Sequence, residues 1–220
     1  MVKKMLLSFL LLSGIHAFSQ SSSLGKSDPD AKKILDNVSS KFKTYKSVVA
    51  HFSLKIENSE GKVLGTKSGV VNMKGSKYRI SVSGQEIFSN GNIIWTYDKS
   101  ANEVQITKFD GSANMITPQK MFTNFYDKDF LYKLNGESKV GKKVIQEIEL
   151  TPVDKSKTFF KVLVGIDQAS QAIVSTKVFE KNGNKYTYNV TSMKTNTPLP
   201  DSIFVFDAKS YPNVEIVDLR

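Results

Sequence analysis

Between residues 28 and 47 the apolar side chains recur three and four positions apart, and from Val48 onward they recur every second position. In "DPDAKKILDNVSSKFKTYKS" the set Ala31, Ile34, Leu35, Val38, Phe42 and Tyr45 falls on one side of a 3.6-residue period. Asp28 stands where a carboxylate can accept from the first free amides, and Pro29 takes the first helical position, where its missing N–H costs nothing. The pattern predicts an amphipathic helix of about five turns. In "VVAHFSLKIE" Ala50, Phe52, Leu54 and Ile56 alternate with His51, Ser53, Lys55 and Glu57. That is a strand with one buried face.

The two-residue period continues in short runs. "VLGTKSGVVNM" returns after a turn at Gly61, with glycines that mark a bend or bulge, and "SKYRISVS", "QEIFS", "NIIWTYD" and "NEVQITKF" follow. Asn90-Gly91 joins two of these runs, and Asn182-Gly183 joins another pair, because this dipeptide supplies the positive φ values of a tight hairpin turn. The alternation stops at "ITPQKMFTNFYDKDFLYKL", where Thr117 can cap, Pro118 can open a helix, and Met121, Phe122, Phe125 and Tyr126 share a helical face. Strands resume with "KVIQEIEL", "TFFKVLVGID", "AIVSTKVFE" and "KYTYNVTSM"; "SIFVF" is expected as a last short strand, with one more in "YPNVEIVDLR". The order predicts an α+β fold: an antiparallel sheet of about ten or eleven strands that must curl or close, and a curled sheet with helices over its mouth would enclose an apolar pocket. Several strands are apolar on both faces, with Phe160, Val162, Val164 and Ile166 on one side and Phe159 and Leu163 on the other. One face could pack on the long helix while the other lines a cavity, and a two-sided core would give the same pattern.

The ends of the chain set its compartment. Lys3 and Lys4 precede the apolar run Met5 to Leu12, and Ala17 and Ser19 give the small-x-small spacing of a cleavage site, so residues 1–19 are expected to be a secretory signal peptide, with 20–220 as a single domain. The run is too short for a spanning helix, and no cysteine follows it to be lipidated. The export route then ends in a compartment outside the cytoplasm. Loss of Lys3 and Lys4 lowers the formal charge from +10 to +8. The basic residues are dispersed and the chain is exported, which argues against nucleic acid as a partner.

Candidate chemistry is sparse. His16 leaves with the leader, and His51, the remaining histidine, sits on the polar phase of its strand without a nucleophile-elbow motif. With no cysteine and one histidine there is no set of nitrogen or sulfur ligands for a metal, and the glycines form no phosphate-binding loop. Glu147 and Glu149 share a strand face, as an alternating polar face also requires. The residues therefore predict no enzyme, no cofactor and no metal. What stands out is apolar: Ile93, Trp95 and Tyr97 on one strand face, neighboured by Phe88, and Met121, Phe122 and Phe125 on one helix face.

Four stretches, "GVVNMKGSKYRI" (69–80), "SNGNIIWTYDKSANEVQI" (89–106), "ITPQKMF" (116–122) and "LPDSIFVFDAKSYPNVEIVD" (199–218), occur in the order and spacing of the LolA-like periplasmic outer-membrane lipoprotein carriers, which the chain resembles over essentially its whole mature length. The resemblance implies a half-barrel whose cavity receives the acyl chains of a lipoprotein. It implies acceptance from an inner-membrane lipoprotein-releasing ABC transporter complex and delivery to an outer-membrane acceptor, by a carrier expected to be monomeric. Phe88, Ile93, Trp95 and Tyr97 would line the cavity, with Met121, Phe122 and Phe125 on the lid. Where the family commonly has an arginine-proline pair that latches the lid, this chain has Lys74 and Gly75, and a single ammonium replaces a planar fork. Lys74 is the candidate latch. A periplasmic lipid- or lipoprotein-sensing domain of an envelope-stress pathway is the competing reading.

Overall fold

The computed structural model describes residues 27–110 and 126–220, the side chain of Asp127 excepted. Helix α1 spans Pro29–Lys43. Asp28 caps it: Oδ1 accepts from the amides of Asp30 and Ala31, while Oδ2 accepts from the Leu134 amide at 3.0 Å. One carboxylate thus satisfies the helix start and ties it to a strand, and these backbone donors hold the Asp28 carboxyl below its ordinary range. The helix ends at Thr44, about a turn earlier than its periodicity predicts.

Eleven antiparallel strands follow one another: β1 (Val48–Glu57), β2 (Val63–Lys74), β3 (Lys77–Val82), β4 (Gln85–Ser89), β5 (Ile93–Asp98), β6 (Glu103–Lys108), β7 (Phe130–Val140), β8 (Lys143–Pro152), β9 (Phe159–Asp167), β10 (Ala172–Glu180) and β11 (Lys185–Thr195). A short β12 (Glu215–Asp218) pairs in parallel with β6. The order across the sheet is β12-β6-β5-β4-β3-β2-β1-β11-β10-β9-β8-β7, so β12 and β7 remain as separate edges and the barrel is incomplete. Both Asn-Gly turns are hairpins, with Gly91 at φ +95° and Gly183 at φ +89°.

Two segments depart from the sequence pattern. Among the described residues the expected aromatic helix continues only over Tyr126–Asp129 (α2), before β7 begins at Phe130. The signal was present in the alternation of Phe130, Tyr132 and Leu134, masked by the aromatic residues ahead of it. "SIFVF" is not a strand: Asp201–Phe204 forms a 3-10 turn after Pro200, and Phe204 is fully buried. The helical reading of residues 117–125 lies outside the described residues.

Helix α1 packs across one face of the sheet. Ala31, Leu35 and Val38 meet Ile148, Leu150, Val162, Val164 and Ile166, and the end of the helix brings Phe42 and Tyr45 against Val48, Ala50, Met73 and Tyr78. Burying Leu35 and Val38 contributes about 1.5–3 kcal/mol each before the entropy of ordering them.

Candidate functional site

Directly opposed residues in an antiparallel ladder carry their side chains to the same face. Val48 opposes Met73, Met73 opposes Tyr78, Tyr78 opposes Ser89, and Ser89 opposes Ile94. This row belongs to the face under α1, the concave side. Farther along the same face run Phe52, Leu54 and Ile56 of β1, flanked by Tyr188 and Tyr186 of β11 and, beyond Gly69, by Val82 of β3. All six of these apolar and aromatic residues are half-buried, in contrast to the closed packing beneath the helix. They form an apolar trough leading from α1 toward the end of the sheet where β1 meets β2.

The trough is shaped by glycine and aromatics. The Phe52 ring occupies the space above Gly69, and its centroid is 6.0 Å from that of Tyr188. Burial is the main cause that pushes the Tyr188 phenol above its ordinary pKa, with Tyr186 and Glu180 adding to it.

The sequence-predicted aromatics lie on the other side. Trp95 opposes Phe88 and Ile106, Phe88 opposes Arg79, Arg79 opposes Asn72, and Asn72 opposes Val49, a row offset by one residue from the one under α1. Phe88, Trp95 and Tyr97 form a buried cluster with Val104 and Phe206, against which Ile93 and Tyr211 pack. The C-terminal segment covers them: Phe206 and Tyr211 stack with centroids 4.4 Å apart, and Tyr97 meets Tyr211 at 4.6 Å. The structure therefore brings Phe88, Ile93, Trp95 and Tyr97 together, but on the convex face. Met121, Phe122 and Phe125 lie outside the described residues.

Lys74 also faces the C-terminal segment. Its Nζ donates to the Leu199 carbonyl and to Asp201 Oδ1, each at 2.9 Å, and Lys77 Nζ reaches Asp201 Oδ2 at 2.7 Å. The two lysines hold the Asp201 carboxyl below its usual range, Lys77 contributing most. Tyr211 donates to Glu86 Oε2 at 3.2 Å, an atom that also accepts from Arg79 at 2.7 Å, and the Arg79 guanidinium stacks 4.7 Å from the Phe88 ring. The C-terminal segment is thus a strap, clipped at both ends over an aromatic cluster.

His51 is exposed on the convex row, opposite Val70 and Ser192. Glu147 and Glu149 both accept from Asn135 Nδ2, at 3.1 and 3.4 Å, as neighbours on a polar strand face do. Among the described residues no helix is long and apolar enough to cross a membrane.

Residues 43–207, from the end of α1 into the strap, match the family model described as outer membrane lipoprotein carrier protein LolA. The chain belongs to the LolA family. An outer-membrane lipoprotein carrier protein of Cupriavidus necator is 28% identical over 158 residues, covering 70% of this chain and 72% of that protein. The corresponding protein of Cupriavidus pinatubonensis is 27% identical over 169 residues, covering 73% and 77%. Among solved structures, an uncharacterized conserved protein of Thermus thermophilus superposes with a TM-score of 0.58 at 13% identity, over 86% of this chain and 99% of that one, which shows a shared fold.

Proposed function

We propose that this LolA-family protein is a periplasmic chaperone that takes the acyl chains of lipoproteins onto its concave face and carries them from the inner to the outer membrane. Residues 20–220 act as one unit after the leader is removed. The observation that carries the reading is the half-buried row Phe52, Leu54 and Ile56 with Tyr186 and Tyr188, an apolar surface left beside the closed core under α1. Names of relatives support the cargo class. An inner-membrane ABC transporter complex supplies the lipoprotein, an outer-membrane acceptor receives it, and the carrier works as a monomer.

Under this proposal Trp95, Phe88, Tyr97 and Ile93 hold the trough wall rigid from behind. Met121, Phe122 and Phe125 serve as the lid face, a role that rests on the family resemblance. Lys74 acts on the lid through the strap it clips. The energetics limit how the cargo is held. Burial gives about 0.8 kcal/mol per methylene, so fully enclosing three long chains would exceed the practical affinity ceiling of roughly 20 kcal/mol. An open trough that covers each chain in part avoids a complex that never unloads. The chain is a binding protein with no catalytic step of its own, so its direction of transfer comes from donor and acceptor.

The test is recovery of the tagged protein from the periplasm of its own cells, followed by native mass spectrometry. A stoichiometric complex with acylated lipoproteins supports the proposal. Recovery with a signalling protein and no lipoprotein would favour the sensor reading instead.

A further inference from the structure

Three loops meet at the end of the sheet toward which the trough runs. They are the β1–β2 hairpin (58–62), the β8–β9 connection (153–158) and the β10–β11 turn (181–184). The amide of Lys181 donates to the Thr158 carbonyl at 2.9 Å, and Gly183 lies against Ser59, where an added Cβ would come within 2.5 Å of the serine Cβ. The loops therefore form one rim rather than three separate tips.

The rim differs from the rest of the surface in two ways. Among the described residues eight large hydrophobic side chains are exposed, and four of them, Val63, Leu64, Val153 and Phe160, belong to this rim at 49–59% exposure. Residues 53–64, 152–161 and 177–185 also hold eight lysines against four acids. That local excess of +4 is half the net charge of the chain without its leader, concentrated in 31 residues. Glu57, one of the four acids, sits between Lys55 and Lys177, whose ammonium groups approach its Oε2 at 3.3 and 3.9 Å. The aromatic and basic groups are interleaved. Phe160 and Phe179 have ring centroids 6.2 Å apart, and the ammonium groups of Lys161 and Lys177 sit 4.6 and 5.3 Å from the Phe179 centroid.

We infer that this rim docks on an anionic phospholipid surface. Apolar side chains at loop tips can enter the boundary between headgroups and acyl chains, while lysines on flexible stems reach the phosphates around them. An acidic protein would satisfy the lysines and leave Val63, Leu64, Val153 and Phe160 without a common partner. A bilayer satisfies both sets at once. The contact is independent of the cargo, and only its use rests on the proposed function: with the rim on the membrane, Ile56 and Tyr186 at the end of the trough stand next to the lipid phase, and an acyl chain crosses little water.

Co-sedimentation of the leaderless chain with vesicles separates the two ideas, because it needs no lipoprotein. Vesicles of phosphatidylcholine with about 30% phosphatidylglycerol should bind the protein at least about tenfold more strongly than phosphatidylcholine alone, with most of that binding lost at high salt. Phe160→Ser with Leu64→Ser should weaken binding about tenfold, as should Lys161→Gln with Lys181→Gln. Val140→Ser, an equally exposed position at the opposite end of the sheet, serves as the folded control and should leave binding unchanged. Absence of vesicle binding, equal binding to neutral vesicles, or an equal loss in Val140→Ser would overturn the inference. Lipoprotein recovery in cells, measured separately, reports on the carrier reading alone.

Discussion

Phe52 occupies the space that a side chain on Gly69 would need: a Cβ built on Gly69 falls 2.4 Å from Phe52 Cζ and 2.8 Å from the Ser81 carbonyl oxygen. The two residues are opposed across β1 and β2 on the concave face, so the glycine permits the ring to lie flat along the trough. Gly69→Ala should drive the ring off the sheet and lower stability by about 1–3 kcal/mol, the usual cost of overpacking. It should also weaken binding of a fluorescent fatty-acyl probe, read by titration, more than its effect on the urea midpoint accounts for.

The Lys74–Asp201–Lys77 clip makes the strap sensitive to acid. The folded carboxyl of Asp201 is held below its unfolded pKa, so its contribution is present above that unfolded value and is lost as pH falls through the folded one. Trp95, the one tryptophan of the chain, lies in the cluster beneath the strap and reports on it. Its emission should shift to longer wavelength as pH falls below about 4. Asp201→Asn should show part of that shift already at neutral pH and a flatter acid step.

Phe206 is 8% exposed and touches Phe88, Tyr97 and Tyr211. Phe206→Ala should cost about 3–5 kcal/mol in urea denaturation. Iodide quenching of Trp95 should rise in the same variant, since the removed ring covers the cluster.

Tyr126, 2% exposed, donates to Asp36 Oδ1 at 2.7 Å and joins α1 to the turn before β7. The Asp36 carboxyl lies below its ordinary range because of Lys32 first and Tyr126 second. Tyr126→Phe keeps the ring and removes the donor, so it should destabilise the protein by about 1–2 kcal/mol and raise the Asp36 pKa, measured by carboxylate NMR titration.

Much of the fold was legible because local periods are local physics. The capped helix, the alternation of β1 and the two Asn-Gly hairpins all appear where the sequence places them. The faces were not legible. Ile93, Trp95 and Tyr97 share a side by parity alone, yet which side faces α1 depends on strand pairing from β1 to β5 and on a strap more than a hundred residues away. The trough residues Phe52, Leu54 and Ile56 were visible as an apolar row, with nothing in the row to distinguish core from open wall. Lys74 stood out by its position in the chain, while its partners Leu199 and Asp201 come from the far end of the sequence. Strand β7 was hidden by aromatic residues preceding it, although Phe130, Tyr132 and Leu134 alternate as an edge strand should.

The proposed acyl-binding face of β1 carries Leu54, and the opposite face carries Lys55. A photoreactive phenylalanine analogue placed in cells at position 54, and in a second variant at position 55, probes the two faces of one strand one residue apart. Adducts with acylated lipoproteins are expected from the position of Leu54 and not from that of Lys55. Equal adducts from both, or adducts from position 55 alone, would contradict acyl binding on the Leu54 face.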